Sequence, residues 1–296
     1  MRRGATLLEV LIAVAIVAVL VALILPAIQV ARAESVRLKS KNKLRQIVLA
    51  THNYSSANGG VLLGFTRTGT DEKLDGPGLF EPILPFLESE NMPSRNPHHP
   101  TFSDYVPAYV SPADPSFSLP YSGPGAVQGS FIDTWGEHSY PANWQALRLG
   151  AALDTSFSDG TSTTIAFAER YSLCGDTGTM WWLIDCGCRW YHDDRMTVRI
   201  ESNPTSRRPT FADPNYEDVL PITSNGVTRP SVAGRTFQIA PAPDGCDYRV
   251  PQTPHTGGML TAYMDGSVRT TQPGIAPEVF WAAVTPAGGE VTADGW

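Results

Sequence analysis

The chain has 296 residues, of which 42% are hydrophobic and 17% are charged, and its 26 Gly and 25 Pro favour a loop-rich domain of short strands over a helical one. The net charge of −7 is unevenly distributed: six cations against Glu34 give residues 32–45 a charge of +5, Arg2 and Arg3 against Glu9 give the first 31 residues +1, and the remainder carries −13. A basic segment joined to an acidic body argues against nucleic-acid binding by the body.

The first element along the chain is an apolar helix. The sixteen residues from Val10 to Leu25 include no polar side chain. At a rise of about 1.5 Å per residue, Ala5 to Leu25 reaches about 30 Å, the thickness of the hydrocarbon core of a bilayer. A secretory signal peptide cut near Ala33 is the alternative, but its cleavage site should directly follow the apolar run, and here helical spacing continues. We therefore predict a membrane-spanning helix.

A carboxylate lies inside this apolar run. Glu9 costs several kcal/mol in hydrocarbon unless it finds a partner, and such residues are functional by default. If the chain is cut after Gly4, the free amine of Ala5 lies one helical turn from Glu9. The amine of a neighbouring subunit could then neutralise Glu9 in an apolar bundle and fix the axial register of a filament.

The segment Gly4-Ala5-Thr6-Leu7-Leu8-Glu9 resembles the type III signal of prepilins and pseudopilins. The resemblance implies that a prepilin peptidase cuts after Gly4 and methylates Ala5, although that family usually has Phe or Met at the position of Ala5. Pro26 matches the proline that commonly kinks the pilin stem. A kink is also the physical expectation, because a proline inside a helix removes one hydrogen bond and clashes with the preceding turn.

The helical pattern continues beyond Pro26 to Ala57. Its apolar stripe predicts that the second half of the stem packs on a globular body, and comprises Ile28, Ala31, Ser35, Leu38, Leu44, Ile47, Val48, Ala50 and Thr51. The cations of residues 32–45, here called the basic neck, lie on the polar face. We expect them to face either anionic lipid, at about 1 kcal/mol per cation, or solvent. Asn58-Gly59-Gly60 ends the helix.

Three patterns predict structure in the body. Thr261 to Thr271 reads as a β-hairpin closed by a two-residue turn at Asp265-Gly266. His255 begins a turn just before it, so a structural role is favoured for His255, Asp265 and Gly266; a polar or cation site between His255 and Asp265 is the alternative. Asp159-Gly160 predicts a turn that leads into a strand at Ile165. No cofactor is expected; calcium at Asp159 is the alternative, but calcium takes six to eight oxygens and no spaced Asp series is present.

Several of these segments are also similar to one family. Residues 42–54 and 79–88 resemble its segment after the stem and its W-x-x-x-ILP-Y-LEQ element, and residues 159–165 with Glu169 resemble its DGTSNTI…E element. His255 precedes Asp265-Gly266 at the spacing of its closing signature. The family is that of the planctomycete pilin-like proteins known by the uncharacterised domain number 1559. Its molecular role is poorly defined, so the resemblance implies a class rather than an activity.

The four cysteines are Cys174, Cys186, Cys188 and Cys246. A body outside the cytoplasmic membrane permits disulfides. A bond between Cys186 and Cys188 would force a very tight loop, so we expect Cys174 to pair with one of these two and Cys246 with the other. Zinc is the alternative, but it favours Cys-x-x-Cys over Cys-x-Cys spacing.

These patterns predict an α+β, pilin-like fold, with a long N-terminal transmembrane stem helix packed on an antiparallel β-sheet body. We expect a leader peptide at residues 1–4 and a stem helix at 5–57, which spans the membrane at 5–26 and is then amphipathic. An extracytoplasmic globular β-rich body is expected at 58–296.

The expected function is structural. The chain would be a pilin or pseudopilin with a single pass through the cytoplasmic membrane. A prepilin peptidase would process it, and stem contacts with other subunits would assemble it into a type IV pilus-like or type II secretion pseudopilus filament. The alternative is a membrane-tethered module that binds a glycan or another surface ligand, using Trp135, Trp181, Trp182 and Trp190. No enzyme is expected, since the sequence has no Gly-x-Ser-x-Gly, His-Glu-x-x-His, phosphate-loop or dinucleotide motif.

Overall fold

The computed structural model describes residues 7–64, 79–87, 106–117, 138–148, 150–175, 177–179, 188–192, 198–202, 206–207, 209–212, 220–224, 227–231 and 235–289. By internal packing the chain forms two units, Met1–Lys39 and Ser40–Trp296. The predicted leader with Gly4 and Ala5, and Trp135, Trp181, Trp182 and Cys186, lie outside the described residues.

Helix α1, Leu7–Ala57, confirms the predicted stem. Pro26 lies inside it, and the helix continues on both sides. It ends as the sequence predicts, because the Gly60 N–H donates to the Ser55 carbonyl at 2.8 Å and Gly59 adopts a φ of +69°. This left-handed residue followed by a six-to-one bond is the Schellman arrangement that glycine favours.

The body in Ser40–Trp296 is built mainly from short strands. Two single turns of 3₁₀ helix, Leu84–Phe86 and Pro107–Tyr109, precede the first of these strands. The strands are β1 (Ala142–Asn143), β2 (Ile165–Ala168), β3 (Leu173–Cys174), β4 (Thr177–Thr179), β5 (Cys188–His192), β6 (Val198–Ser202), β7 (Ser206–Arg207), β8 (Thr210–Phe211), β9 (Leu220–Ser224), β10 (Val227–Ser231), β11 (Gln238–Ile239), β12 (Gln252–Thr253), β13 (Met259–Tyr263) and β14 (Val268–Thr271).

The main sheet has five strands in the order β14-β13-β2-β1-β8. Its first four strands pair antiparallel, as predicted, and β8 joins β1 in parallel. Smaller sheets are formed by β9 with β10, by β11 with β12, by β3, β4 and β7, and by β5 with β6. All five residues of β13 are buried, which indicates that both faces of the sheet are covered there.

Two apolar clusters cover those faces. One joins the second half of α1 to Leu260 and Ala262 of β13, and it includes Leu44, Ile47, Val48, Ala50, Phe80, Tyr109, Tyr140 and Phe167. The other joins Met259 and Tyr263 to Phe280 and Trp281. Because alternate residues of a strand point to opposite faces, the sheet lies between Ser40–Ala57 of α1 and the helix that carries Phe280.

That last helix, α2 (Pro277–Val284), is not among the predicted elements. Pro277 occupies its first turn, a position where the missing N–H costs nothing. The predicted stripe on α1 also needs a correction. Leu44, Ile47 and Val48 are buried, but Ile28 and Leu38 are each 58% exposed. Ser40 is the first buried residue of α1, so the buried part of the predicted stripe is shorter than the sequence indicates.

The closing hairpin is confirmed, but its predicted turn is wrong in length. The Tyr263 N–H donates to the Ser267 carbonyl at 2.9 Å, and the Gly266 N–H donates to the Tyr263 carbonyl at 3.0 Å. Met264, Asp265 and Gly266 therefore form a three-residue loop, with Gly266 at a φ of +84°. A left-handed glycine at this place closes a three-residue hairpin with a bulge, so the Asp-Gly pair serves a longer loop than a two-residue turn.

The predicted disulfide pairing is wrong. Cys174 is bonded to Cys246, with their Cα atoms 5.5 Å apart. Strand β3 and the loop after β11 meet here, since the Gly175 N–H also donates to the Pro243 carbonyl at 2.6 Å. The spacing of the cysteines disfavours only a bond between Cys186 and Cys188, and it does not indicate which distant segment β3 meets.

Candidate functional site

The apolar half of α1 is the first candidate surface. It is long and apolar enough to cross a membrane by length and composition, a test that a signal sequence also passes. Every large apolar side chain from Leu7 to Leu25 is at least half exposed, and Leu7 is 80% exposed. Glu9 lies in the first turn of the helix. This unit therefore presents a continuous apolar surface with one carboxylate at its N-terminal end.

The second candidate is the junction where the hairpin loop meets α1 and the turn before β2. The Met264 carbonyl accepts a hydrogen bond from His52 Nε2 at 2.8 Å. The Met264 N–H donates to the Thr164 carbonyl at 2.9 Å, and the Asp265 N–H donates to the Thr161 carbonyl at 3.0 Å. The hairpin loop thus ties three separate chain segments together through its backbone, and this explains why a loop of fixed shape is needed there.

The side chain of Asp265 stays local to this loop. Its Oδ1 accepts the Ser267 N–H at 2.8 Å, and its Oδ2 lies 3.6 Å from Arg269 Nη2. Gly266 supplies the left-handed residue described above. The two residues of the Asp-Gly pair therefore shape the loop, in line with the structural role that the sequence favours.

His255 has a different partner. Its Nε2 lies 3.3 Å from Oε1 of Glu169, which is 1% exposed. These two atoms do not have the geometry of a hydrogen bond. The contact is therefore an ion pair only when the ring of His255 is protonated. The structure therefore joins His255 to Glu169 and shows no contact between His255 and Asp265 among the described residues.

Glu169 is the centre of a second junction, which joins the end of β2 to β12 and β13. Its Oε2 accepts from Thr253 Oγ1 at 2.6 Å and from the Leu260 N–H at 2.9 Å. These bonds connect the end of β2 to β12 and to β13. A buried carboxylate is tolerated when hydrogen bonds of this kind satisfy it, because an unpaired buried charge is very costly.

A second buried carboxylate, Asp114, was missed by the sequence argument. Its two oxygens accept from the Ser116 N–H (2.9 Å), Ser116 Oγ (2.5 Å), Ser139 Oγ (2.8 Å) and the Ser172 N–H (2.7 Å). Burial raises the pKa of Asp114, against the opposing effect of hydrogen bonds from Ser116, Ser172 and Ser139. Only the turn-forming run from Ser111 to Ser116 hinted at this cluster.

His138 is held as a neutral ring beside this cluster. Its Nδ1 accepts the Tyr140 N–H at 3.0 Å, and its ring centroid lies 4.0 Å from that of Phe80. Burial, and next the charge of Arg170, lower the pKa of His138 well below its usual value. The ring thus fills the core and is unsuited to carry charge near neutral pH.

The predicted calcium candidate has protein partners. The carboxylate of Asp159 accepts the Gly288 N–H at 2.6 Å and the Gly289 N–H at 3.0 Å. Gly160 has a φ of +100°, as expected for the turn that leads into β2. No group of three metal-ligating side chains occurs among the described residues. Asp159 therefore fastens the segment after α2 to the turn before β2.

The buried polar groups share one arrangement. Glu169, Asp114 and the hairpin loop each connect segments that are far apart in sequence, and their hydrogen-bond partners are largely backbone amides and hydroxyls. Buried polar groups that are satisfied in this way hold the segments in one arrangement, which is a structural role. The apolar part of α1 differs from these groups, because its large side chains from Leu7 to Leu25 are exposed.

Comparison with known proteins places the body in one family. The model of a family described as a protein of unknown function (DUF1559) matches residues 29–278, which is most of the chain. No curated protein and no solved structure matches the chain. The match begins within α1 and includes both junctions described above.

Proposed function

The chain belongs to the family of proteins of unknown function DUF1559, and from this premise we propose that it is a subunit of a type IV pilus-like or pseudopilus filament. In this proposal a prepilin peptidase removes residues 1–4 and methylates Ala5. The processed subunit is then held in the cytoplasmic membrane by the first half of α1 and passes into the filament through that half. The observation that carries the proposal is the exposure of every large apolar side chain from Leu7 to Leu25 on a helix with one carboxylate in its first turn.

The exposed apolar part of α1 needs apolar surroundings. Apolar surface of this extent is not stable in water, so it requires hydrocarbon or other apolar helices around it. A bilayer satisfies the apolar side chains, and a carboxylate such as Glu9 is stable at that depth only when it is paired. A bundle of processed stems satisfies both, because the amine of Ala5 in one copy can neutralise Glu9 in another. This distinguishes a filament subunit from a plain anchor.

The disulfide supports the proposed side of the membrane. Cys174 and Cys246 are joined in the body, and disulfides persist in oxidising compartments and are rare in the cytoplasm. With residues 1–4 open to a cytoplasmic peptidase and the body outside, the helix crosses the membrane once. The body then forms the outer surface of the filament.

The test uses the full chain in a cell that contains a prepilin peptidase and an assembly system. The filament fraction is sheared from cells that produce either the parent chain or the Glu9→Val variant. We expect the parent to appear in that fraction. The variant should stay in the membrane at a normal amount, because Val fits hydrocarbon but offers no charge to the amine of a neighbour.

Two controls make the result specific. Asp154→Asn removes an exposed carboxylate of the body and should assemble like the parent. An intact Cys174–Cys246 bond in the Glu9→Val chain would show that its body is folded. Equal assembly of the Glu9→Val chain and the parent would contradict the role of Glu9. Absence of the parent from every filament fraction would favour the tethered binding module.

A further inference from the structure

A row of exposed side chains follows α1 on the part that carries the body. Lys41, Arg45 and Leu49 are spaced by four residues, so they lie one above the other on the helix surface. All three are exposed, and Leu49 is 48% exposed. They lie beside the buried residues Leu44 and Val48, which pack on the sheet. We call Lys41, Arg45 and Leu49 the stem row.

The stem row is unfavourable for the chain by itself. Two cations four residues apart repel each other along a helix. Neither Lys41 nor Arg45 makes an ion pair or side-chain hydrogen bond within the part of the chain that the structure describes. Lys43, between them, is used differently: its Nζ donates to the Pro107 and Val110 carbonyls at 2.5 and 2.7 Å. The helix thus commits one cation to its own body and presents two others outward.

The basic neck and the chain that follows it carry net charges of opposite sign, and this favours one kind of contact between copies. Residues 32–45 carry +5, and residues 46–296 carry −13. Two necks repel each other and two bodies repel each other, whereas a neck and a body attract. A two-fold contact sets the same patch against itself, but a contact between different patches of successive copies produces a ring or, where the rotation does not close, an open filament. The charge distribution therefore favours head-to-tail assembly.

From the row and the charge division we propose that Lys41, Arg45 and Leu49 dock on the body of a second copy of this chain, whose residues 46–296 carry a net charge of −13. This inference rests on the proposed filament function and names the contact that its subunits make outside the apolar stems. Lipid headgroups would also attract the two cations, but they offer nothing apolar to Leu49. Protein interfaces combine an apolar centre with arginine and a charged rim, which matches the row.

The direct test is a cross-link between copies. Unlabelled and ¹⁵N-labelled full-length chains are produced in separate cultures and mixed before assembly, and the assembled material is treated with a carbodiimide, which joins an amine to a carboxylate in direct contact. We expect mixed-label peptides that link Lys41 to an Asp or Glu within residues 58–296. Links from Lys41 only within one chain, or none from Lys41 while Lys39 reacts, would overturn the proposal.

A charge reversal tests the same contact by yield. Arg45→Glu should lower the sheared filament fraction about tenfold or more, because an acidic side chain at this position is repelled by an acidic body. The matched control is Arg148→Glu, which reverses one exposed cation elsewhere on the body and should leave the yield within about twofold. An equal loss in both variants, or no loss in Arg45→Glu, would contradict a contact at the stem row.

The outcomes separate this proposal from the filament function. If the parent chain forms filaments and Arg45→Glu forms them equally well, the stem row is wrong and the filament stands. If Arg45→Glu instead releases the chain from vesicles that contain anionic lipid, with assembly unchanged, the partner is the membrane surface and the contact between copies is refuted. If the parent shows neither filaments nor mixed-label cross-links, both proposals fail.

Discussion

The two parts of α1 carry similar side chains in opposite surroundings. Leu44 and Ile47 are fully buried, whereas Leu20 and Ile24 are each 52% exposed. The later residues find their apolar partner in the sheet of the same chain. The earlier ones are exposed, and in the proposed function their apolar surroundings are lipid or the stems of other copies. Ser40–Ala57 therefore contributes to the folded core of the body, whereas the segment before it presents its apolar side chains at the surface.

The largest expected change in stability is that caused by removing the disulfide, which lies wholly in the body. Cys174 and Cys246 are 72 residues apart, and closing a loop of that length stabilises the folded state by about 4 kcal/mol in the chain-entropy model. The Cys174→Ser/Cys246→Ser chain in detergent should lose about that much in denaturant unfolding followed by near-ultraviolet circular dichroism. The helix signal of the first part of α1 should remain after the body has unfolded. Simultaneous loss of both signals would break the comparison.

A matched pair of leucines tests the two surroundings directly. Leu44→Ala removes a fully buried side chain and should destabilise the body by about 3 kcal/mol. Leu20→Ala makes the same chemical change on the exposed part and should leave the unfolding of the body within about 0.5 kcal/mol. Denaturant titration of both chains in the same detergent measures the difference. Equal destabilisation by the two substitutions would show that the halves are not distinct.

A smaller effect is expected at the junction of β2, β12 and β13. Glu169→Gln keeps an oxygen for Thr253 and Leu260 but removes the charge that strengthens both hydrogen bonds, so we expect a loss of about 1 to 2 kcal/mol. Asp154→Asn, on an exposed turn, is the control and should change stability by less than about 0.5 kcal/mol. If the two variants unfold alike, Glu169 does not hold the strands together.

The smallest effect is a pH dependence near the disulfide. Burial raises the pKa of Asp247, but hydrogen bonds and charge from Arg249, with the charge of Arg235, outweigh it, and the pKa is lowered overall. A lowered pKa means that the carboxylate stabilises the folded state above the ordinary value of 3.8, and this is lost as the pH falls through the lowered value. The gap in stability between the parent chain and Asp247→Asn should therefore narrow below about pH 4. A gap that stays constant down to pH 2 would contradict this linkage.

Local patterns predicted the parts of the structure that depend on neighbours in sequence. The apolar run and the helical spacing after it predicted α1, and Asn58-Gly59-Gly60 predicted where it ends. Alternating residues around Asp265-Gly266 predicted the closing hairpin. Each of these is set by side chains within a few positions, through helix periodicity, strand alternation and the left-handed preference of glycine.

The rest depends on contacts between distant segments. The pairing of Cys174 with Cys246 follows from the meeting of β3 with the loop after β11, and the partner of His255 is set by the packing of β2 on β13. Asp114 accepts hydrogen bonds from serines of three segments, and the local turn pattern from Ser111 to Ser116 does not show that Ser139 and Ser172 come to it. Helix α2 was missed because its eight residues are too few for a clear helical period.

The mass of the N-terminal peptide from the protein in its native membrane tests the central claim most directly. We predict a peptide that begins at Ala5, with or without one added methyl group, since only a processed N-terminus can meet Glu9 of a neighbouring copy. A peptide that begins at Met1 would show that the helix is only an anchor. A start after Ala33 would indicate a secreted protein and would contradict both the filament and the anchor.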